Sequence, residues 1–327
     1  MNNVPAVEFR NVSKIFAGGT RAVEGLTLQI PAGRIVALLG PSGCGKTTSL
    51  RLINRLEDAT SGEVLVRGKE VRKERAEVLR RSIGYVIQEG GLFPHVNVSG
   101  NVSLAPRLLG WDRRRTLARV AEVLELVGLP LGQFGQRMPA ELSGGQRQRV
   151  GVARALAADP DLLLMDEPFG ALDPGTRESI QDEFLRLNAR LKKTVVIVTH
   201  DIAEAGRLAD EIVVLDKGRL AQRGTLRDLL IHPAHEGVRT FLGRRCQELA
   251  LGVLRLDQVV QDLAEVEPAE PSLRLSADCP LGQALIALAN AADAGTATIT
   301  GPQVRTVSVK NLKAAILADL KQAGGES

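Results

Sequence analysis

Nine consecutive residues, Gly40, Pro41, Ser42, Gly43, Cys44, Gly45, Lys46, Thr47 and Thr48, have the types and spacing of a phosphate cradle, G-x-x-x-x-G-K-T. Glycines let the backbone come close to an anion with its N–H groups turned inward. The apolar run Arg34 to Leu39 before the cradle reads as a buried strand, and Ser49 to Asn54 after it as a helix. A helix starting there adds the partial positive charge of its N-terminus beneath the same anion. Lys46 is placed to reach the β- and γ-phosphates as a point charge, and the Thr47 hydroxyl to sit on Mg²⁺. Cys44 is either a thiol whose oxidation or alkylation blocks nucleotide or a small loop residue without a redox role.

Further candidates lie at the ends of apolar runs. Leu162 to Met165 reads as a buried strand that delivers Asp166 and Glu167, and adjacent carboxylates in that position are costly unless used. Asp166 can hold Mg²⁺ through water, and Glu167 can accept the proton of an attacking water. Val195 to Val198 reads as a strand ending in Thr199 and His200, and Ile83 to Ile87 as one ending in Gln88. Gln88 suits either a nucleotide site or a loop amide bonded to backbone. Phe16 closes a strand, where it could stack on an adenine ring or pack in the core. Ser143, Gly144, Gly145 and Gln146 open a helix, a second place where free N–H groups meet an anion.

These residues need a scaffold of strands alternating with helices. Segments 7–16, 26–30 and 63–71 read as a small antiparallel sheet around Gly18-Gly19, Pro31 to Gly33 and Ser61-Gly62. Residues 98–158 read mostly as helix, with Val120, Val123, Leu124 and Val127 at helical spacing. A helix over about 175–191 and a strand over 211–215 complete an α/β nucleotide-binding core. The charge run Arg113 to Arg115 suits a solvated face or an anionic membrane surface, and His95 an exposed loop.

Length and composition bound the function. A chain of 327 residues suits two domains better than one. Net charge is only +4 and aromatics make up 3%, so neither a basic footprint nor a base-stacking surface is evident, and no nucleic-acid partner is expected. The start carries an acid and a proline without an apolar core, unlike a signal peptide. No apolar run approaches the ~18 residues of a spanning helix. Cys44, Cys246 and Cys279 show neither metal spacing nor a paired framework, which fits a reducing cytoplasm.

Taken in order, the motifs resemble those of the ATP-binding cassette (ABC) ATPases over roughly residues 5–240. Gly40 to Thr47 resembles a Walker A, Gln88 a Q-loop and Leu142 to Gln146 the ABC signature. Leu162 to Glu167 resembles a Walker B, Ala171 to Asp173 a D-loop and His200 an H-loop. The resemblance implies a P-loop nucleotide-binding domain with a RecA-like core, an antiparallel β subdomain and a helical signature subdomain. It implies a homodimer, in which Walker A of one protomer holds ATP and Ser143 to Gly145 of the other close on its γ-phosphate, with Gln146 and Asp173 also counted among the nucleotide-binding residues. Thr47 and Gln88 would ligate Mg²⁺ with Asp166 behind a water. Glu167 would polarise the attacking water, and His200 and Lys46 would hold the γ-phosphate. Phe16 stands where the family usually has Tyr.

A narrower resemblance, carried by Arg51 to Leu56, Thr60 to Gly62, Ile83 to Gln88, Gly91 to His95, Leu108 to Trp111 and Gly224 to Gly243, is to importer subunits for quaternary amines such as glycine betaine and choline. Another small solute (an amino acid or a sulfonate), or a non-transport ABC role, is the alternative. The implied partners are membrane-spanning permease subunits, docking near Gln88 to Asn101, and indirectly an extracytoplasmic substrate-binding protein. The implied place is the inner face of the cell membrane.

The expected division is an ATPase domain over 5–243 and an accessory α+β region over 244–327. In the latter, Leu281, Leu285 and Leu288 form one helical stripe and Leu312, Ile316 and Leu320 another, around strands at 296–300 and 304–309. That α-β-β-α order resembles a single cystathionine-β-synthase (CBS) module.

Overall fold

The computed structural model describes residues 4–87, 91–170, 172–243, 249–252, 254–260, 263–267, 272–291, 294–301 and 304–324. Its contacts divide the chain into two compact units, residues 1–223 and 224–327.

In the first unit, β1 (Val7–Ile15) pairs antiparallel with β2 (Arg21–Ile30). β2 starts five residues before the expected strand (26 − 21), because Ala22 and Val23 are buried as well. β3 (Ile35–Leu39) is buried throughout and leads through the glycine-rich loop into α1 (Lys46–Ile53). β4 (Ser61–Val66) and β5 (Lys69–Glu70) complete an antiparallel sheet of order β2-β1-β4-β5. The single strand expected over 63–71 is broken at Arg67 and Gly68, whose φ values of 50° and 76° reverse the chain. α2 (Ala76–Arg81) then leads to β6 (Ile83–Val86).

The expected helical stretch 98–158 is four helices: α3 (Val98–Leu108), α4 (Arg113–Leu126), α5 (Leu131–Phe134) and α6 (Gly144–Leu156). Gly110 separates α3 from α4 and Gly128 separates α4 from α5, with φ of 76° and 67°, and Asp112 restarts the chain as the cap of α4. Arg115, from the basic run, stacks over the Trp111 ring at 3.7 Å. β7 (Leu162–Asp166), α7 (Pro174–Leu191), β8 (Thr194–Val198), α8 (Ile202–Leu208), β9 (Glu211–Asp216) and β10 (Arg219–Gly224) follow.

The second sheet has the order β10-β9-β3-β8-β7-β6. β3 lies between β8 and β9, and every pairing from β9 across to β6 is parallel. Both faces are covered, which explains the unbroken apolar strands. Val36, Leu38, Leu162, Leu164, Val196 and Val198 pack with α1 and the antiparallel sheet. Their alternates Ile35, Leu163, Met165, Val195 and Ile197 pack with α4, α6 and α7. The register sets Leu38, Val198 and Asp166 in one row, so three strands deliver their carboxyl ends to the same edge.

The second unit holds a three-stranded sheet of order β11-β12-β13: β11 (Ser272–Ser276), β12 (Thr296–Thr300) and β13 (Arg305–Ser308). β11 and β12 are parallel, joined through the helix Leu281–Asn290, and β13 returns antiparallel. The last helix, Val309–Gly324, buries Leu312, Ile316 and Leu320. The order is therefore β-α-β-β-α, with one more strand than the sequence suggested. The helix Leu226–Ile231 packs on Val309–Gly324, and the compact boundary falls at 223/224.

Candidate nucleotide site

The phosphate loop is shaped by two glycines that nothing larger could replace. Gly40 has φ 150°, and a Cβ there would lie 2.2 Å from the Leu215 carbonyl oxygen. Gly45 has φ 100°, and its Cβ would lie 2.1 Å from that of Ala22. The loop is thus pressed against β9 and β2, and α1 begins at Lys46 with its N-terminal amides facing the loop. The Lys46 ammonium is buried and folded back into the loop, donating to the carbonyls of Gly40 (2.7 Å) and Pro41 (2.9 Å). Cys44 is only 3% exposed, and burial pushes its thiol up from its ordinary range. This favours the packing reading of Cys44 over the reactive one.

Beside the loop, Thr47 Oγ1 donates to Asp166 Oδ1 at 3.0 Å. Burial pushes the Asp166 carboxyl up from its usual range, against the Thr47 hydroxyl and the positive charges of Arg51 and Lys46, which lower it. Burial and the same carboxylate push the Tyr85 hydroxyl up, against the positive charge of Arg51. Neither Arg51 nor Tyr85 stands out in the sequence as a site residue, since they meet Asp166 only through sheet register. Glu167 follows β7 in the left-handed region, φ 44°, with its N–H bonded to the Val198 carbonyl. A glutamate in that conformation is strained, and such strain clusters at functional sites. His200 Nδ1 lies 3.4 Å from Glu167 Oε1, bringing the ends of β7 and β8 together.

The helix start expected at Ser143 is formed too. Ser143 caps α6: its hydroxyl accepts from Gln146 N (3.2 Å), and its own N–H donates to Gln146 Oε1 (3.0 Å). A Cβ on Gly145 would lie 3.0 Å from Ile180 and Thr176, so this helix start sits tightly on α7. Asp173 caps α7 through Thr176 N at 3.0 Å, which holds its carboxyl below the usual range. Among the described residues no hydrogen bond joins Ser143 to Gln146 with Gly40 to Thr48. Phe16 stands past β1 in the hairpin loop, 38% exposed, with Lys14 Nζ 4.9 Å from its ring centre. It is therefore not a core aromatic. His95 packs edge-on against Phe93, and Gln88 lies outside the described residues.

The glycine betaine/carnitine/choline transport ATP-binding protein OpuCA of Bacillus subtilis is 46% identical over 281 residues, 85% of this chain and 71% of that protein. The chain belongs to the ABC transporter ATPases. The ABC transporter family pattern matches residues 23–170. The glycine betaine uptake system ATP-binding protein YehX of Escherichia coli (strain K12) is 47% identical over 81% of this chain and 84% of its own length. Among solved structures, the dimeric ATP-binding cassette MJ0796 in a post-hydrolysis state with ADP and phosphate superposes with TM-score 0.61. It is 35% identical and covers 68% of this chain and 99% of its own. As an ABC ATPase the chain binds ATP and hydrolyses it. No described helix is long and apolar enough to cross a membrane.

Proposed function

We propose that this chain is the ATP-hydrolysing subunit of an importer for quaternary amines of the glycine betaine and choline class. The observation that carries the reading is the reach of the likeness. The 281 residues aligned with OpuCA exceed the 223 of the first unit, so the resemblance runs past the cassette into the accessory unit.

Two copies related by two-fold symmetry would each bring Ser143 to Gln146 to the other's phosphate loop, completing two composite sites. The Thr47 hydroxyl and the Asp166 carboxylate are hard oxygen donors at the cradle's end, and they suit Mg²⁺ held mainly by nucleotide phosphates. A cation there would also offset the cost of the buried Asp166 carboxylate. When bound, Mg²⁺ neutralises charge on the β- and γ-phosphate oxygens. Lys46 would exchange its two loop carbonyls for phosphate oxygens, Glu167 would take the proton of the attacking water, and His200 would hold that water and the γ-phosphate in line. Gln88 would join the Mg²⁺ ligands, and Phe16 would stack on the adenine.

A groove of ≈ 480 Å³ between β6 and α3, lined by Ile83, Tyr85, Ile87, Phe93, Leu104 and Leu108 and flanked by Glu77, Arg80, Arg81 and Arg154, suits an amphipathic segment of a permease subunit. Phe93 and Leu108 are exposed at its rim. An extracytoplasmic binding protein would select the solute, and the ATPase would work at the inner face of the membrane. The second unit would act as a CBS-like accessory module.

The test is uptake of labelled glycine betaine and choline by cells carrying this chain with its permease subunits, with and without Lys46→Ala. Uptake that the substitution abolishes is expected. A complex that assembles and hydrolyses ATP yet imports neither solute would overturn the substrate class.

A further inference from the structure

Glu204 lies in the first turn of α8, only 7% exposed, where a carboxylate is costly. The sequence Asp201-Ile-Ala-Glu204 reads as a helix start, in which a glutamate at the third position reaches back to the cap. It does not do so here. Asp201 caps α8 through Ala203 N (2.8 Å) and Glu204 N (3.4 Å). Glu204 Oε2 instead accepts from the hydroxyl of Thr199, which is 1% exposed, at 3.0 Å. That same hydroxyl oxygen accepts from Asp201 N at 3.1 Å, and Thr199 N donates to the Leu38 carbonyl at 3.2 Å. The turn Thr199-His200-Asp201 is therefore closed on both sides of His200, and Glu204 is the buried post to which it is fastened.

Arg177 is the counterpart on α7. Its Nη2 donates to the Leu172 carbonyl at 2.9 Å, gripping the segment just before the Asp173 cap. Its positive charge acts on the Glu204 carboxyl. Glu204 Oε1 and Arg177 Nε are both buried, and among the described residues neither has a hydrogen-bond partner. An acceptor and a donor of opposite charge are thus each left over from gripping a site loop. A link between two states needs such a pair, apart in one arrangement and joined in the other. The helices that carry them are tied further along by Arg207 Nη2 to Asp182 Oδ1 at 2.8 Å.

We propose that Glu204 is a positioning residue for hydrolysis: through Thr199 it sets the turn that carries His200, and through Arg177 it couples that turn to Leu172 and Asp173. The proposal rests on His200 acting in the ATPase site. The groups facing Glu204 are Asp201, which disfavours its charge, and Arg177 and His200, which favour it; burial outweighs them and pushes its carboxyl up to about 7. The carboxylate accepts from Thr199 and attracts the Arg177 charge more strongly than the neutral acid, so the coupling strengthens as pH rises through that value.

The test is steady-state ATPase kinetics of the chain assembled with its permease subunits. Glu204→Gln is expected to lower kcat about 10–100-fold, the scale of a displaced catalytic group, with KM for ATP within about twofold. The ratio of wild-type to Glu204→Gln kcat should grow from pH 6 to pH 8. Thr199→Val should match Glu204→Gln, Thr199→Ser should restore turnover, and the double variant Thr199→Val/Glu204→Gln should be no slower than either alone. Normal turnover in folded Glu204→Gln, additive losses, or a pH-independent ratio would overturn the proposal. His200→Ala separates the two readings. A silent His200→Ala overturns the site assignment and this proposal together, whereas a slow His200→Ala beside a normal Glu204→Gln overturns this proposal alone.

Discussion

The Thr47 hydroxyl donates to the Asp166 carboxylate at 3.0 Å, joining the first turn of α1 to the last residue of β7. The two residues are far apart in sequence and meet because β3 and β7 both flank β8 in parallel register. Asp166→Asn keeps the shape but lowers the charge facing the cradle. ATPase activity at limiting Mg²⁺ should fall about 10–100-fold, the scale of outer-shell metal partners. Binding of a fluorescent ATP analogue in EDTA should be unchanged. A Mg²⁺ titration of both proteins checks this.

Glu167 Oε1 lies 3.4 Å from His200 Nδ1 at the edge where β7 and β8 end. Glu167→Gln removes the base but not the shape. Turnover should drop roughly 10²–10⁴-fold, the usual contribution of a general base, while ATP still binds. Single-turnover hydrolysis beside equilibrium ATP binding measures both, and an unchanged rate would remove Glu167 from the role of base.

The burial of Glu204 predicts a pH-dependent stability difference. Its folded carboxyl titrates at about 7 against 4.5 for the free group, so the native state favours the protonated form. That contribution is fully present below pH 4.5 and is lost as pH rises through 7. Glu204→Gln, which carries no charge to bury, should therefore melt higher than wild type at pH 8, and the gap should narrow toward pH 5. The expected gain is on the order of 1–3 kcal/mol. Paired thermal melts across that range check it. Greater stability together with slower turnover would mark Glu204 as kept for function.

How much of this was legible before the fold was seen depended on how local each signal is. The cradle Gly40 to Thr48 and the strand that ends in Asp166 and Glu167 are contiguous, and their chemistry follows from residue type and spacing. Arg51, Tyr85, Arg177 and Glu204 reach their partners only through sheet register and helix packing, which periodicity does not encode. Glu204 was hidden further by a capping pattern that its side chain does not use. β11 does not stand out because Ser272 to Ser276 follow Pro268 and Pro271, turn and linker residues. Its pairing with β12 is parallel and reached only through an intervening helix. Arg67-Gly68 was read through because β4 and β5 flank it with similar composition.

Gly45 of the phosphate loop and Gly18 of the β1–β2 turn give a contrast within one chain. Gly45→Ala adds a Cβ 2.1 Å from the Ala22 carbonyl at φ 100°. The left-handed backbone alone costs roughly 1–2 kcal/mol, and the clash must displace β2 or the loop. ATP binding should be lost and the melting temperature lowered. Gly18→Ala meets nothing within 4 Å and should leave both unchanged. Thermal melts and nucleotide titrations of the two variants measure the difference.

The sharpest test of the composite site uses two defects on different chains. Lys46→Ala damages the phosphate loop, and Ser143→Arg places bulk and charge at the start of α6, where the serine hydroxyl caps the helix. Each homodimer should be inactive, because both of its sites contain the defect. In a mixed dimer, one site pairs the Lys46→Ala loop with the Ser143→Arg helix, and the other pairs an intact loop with an intact helix. A mixture should therefore regain ATPase activity, provided that one intact site can turn over alone. Tagging the two chains differently and purifying the mixed dimer isolates this species. If each chain hydrolysed ATP by itself, mixing would restore nothing, since every chain carries a defect, and the assignment of Ser143 to the partner's nucleotide would fall.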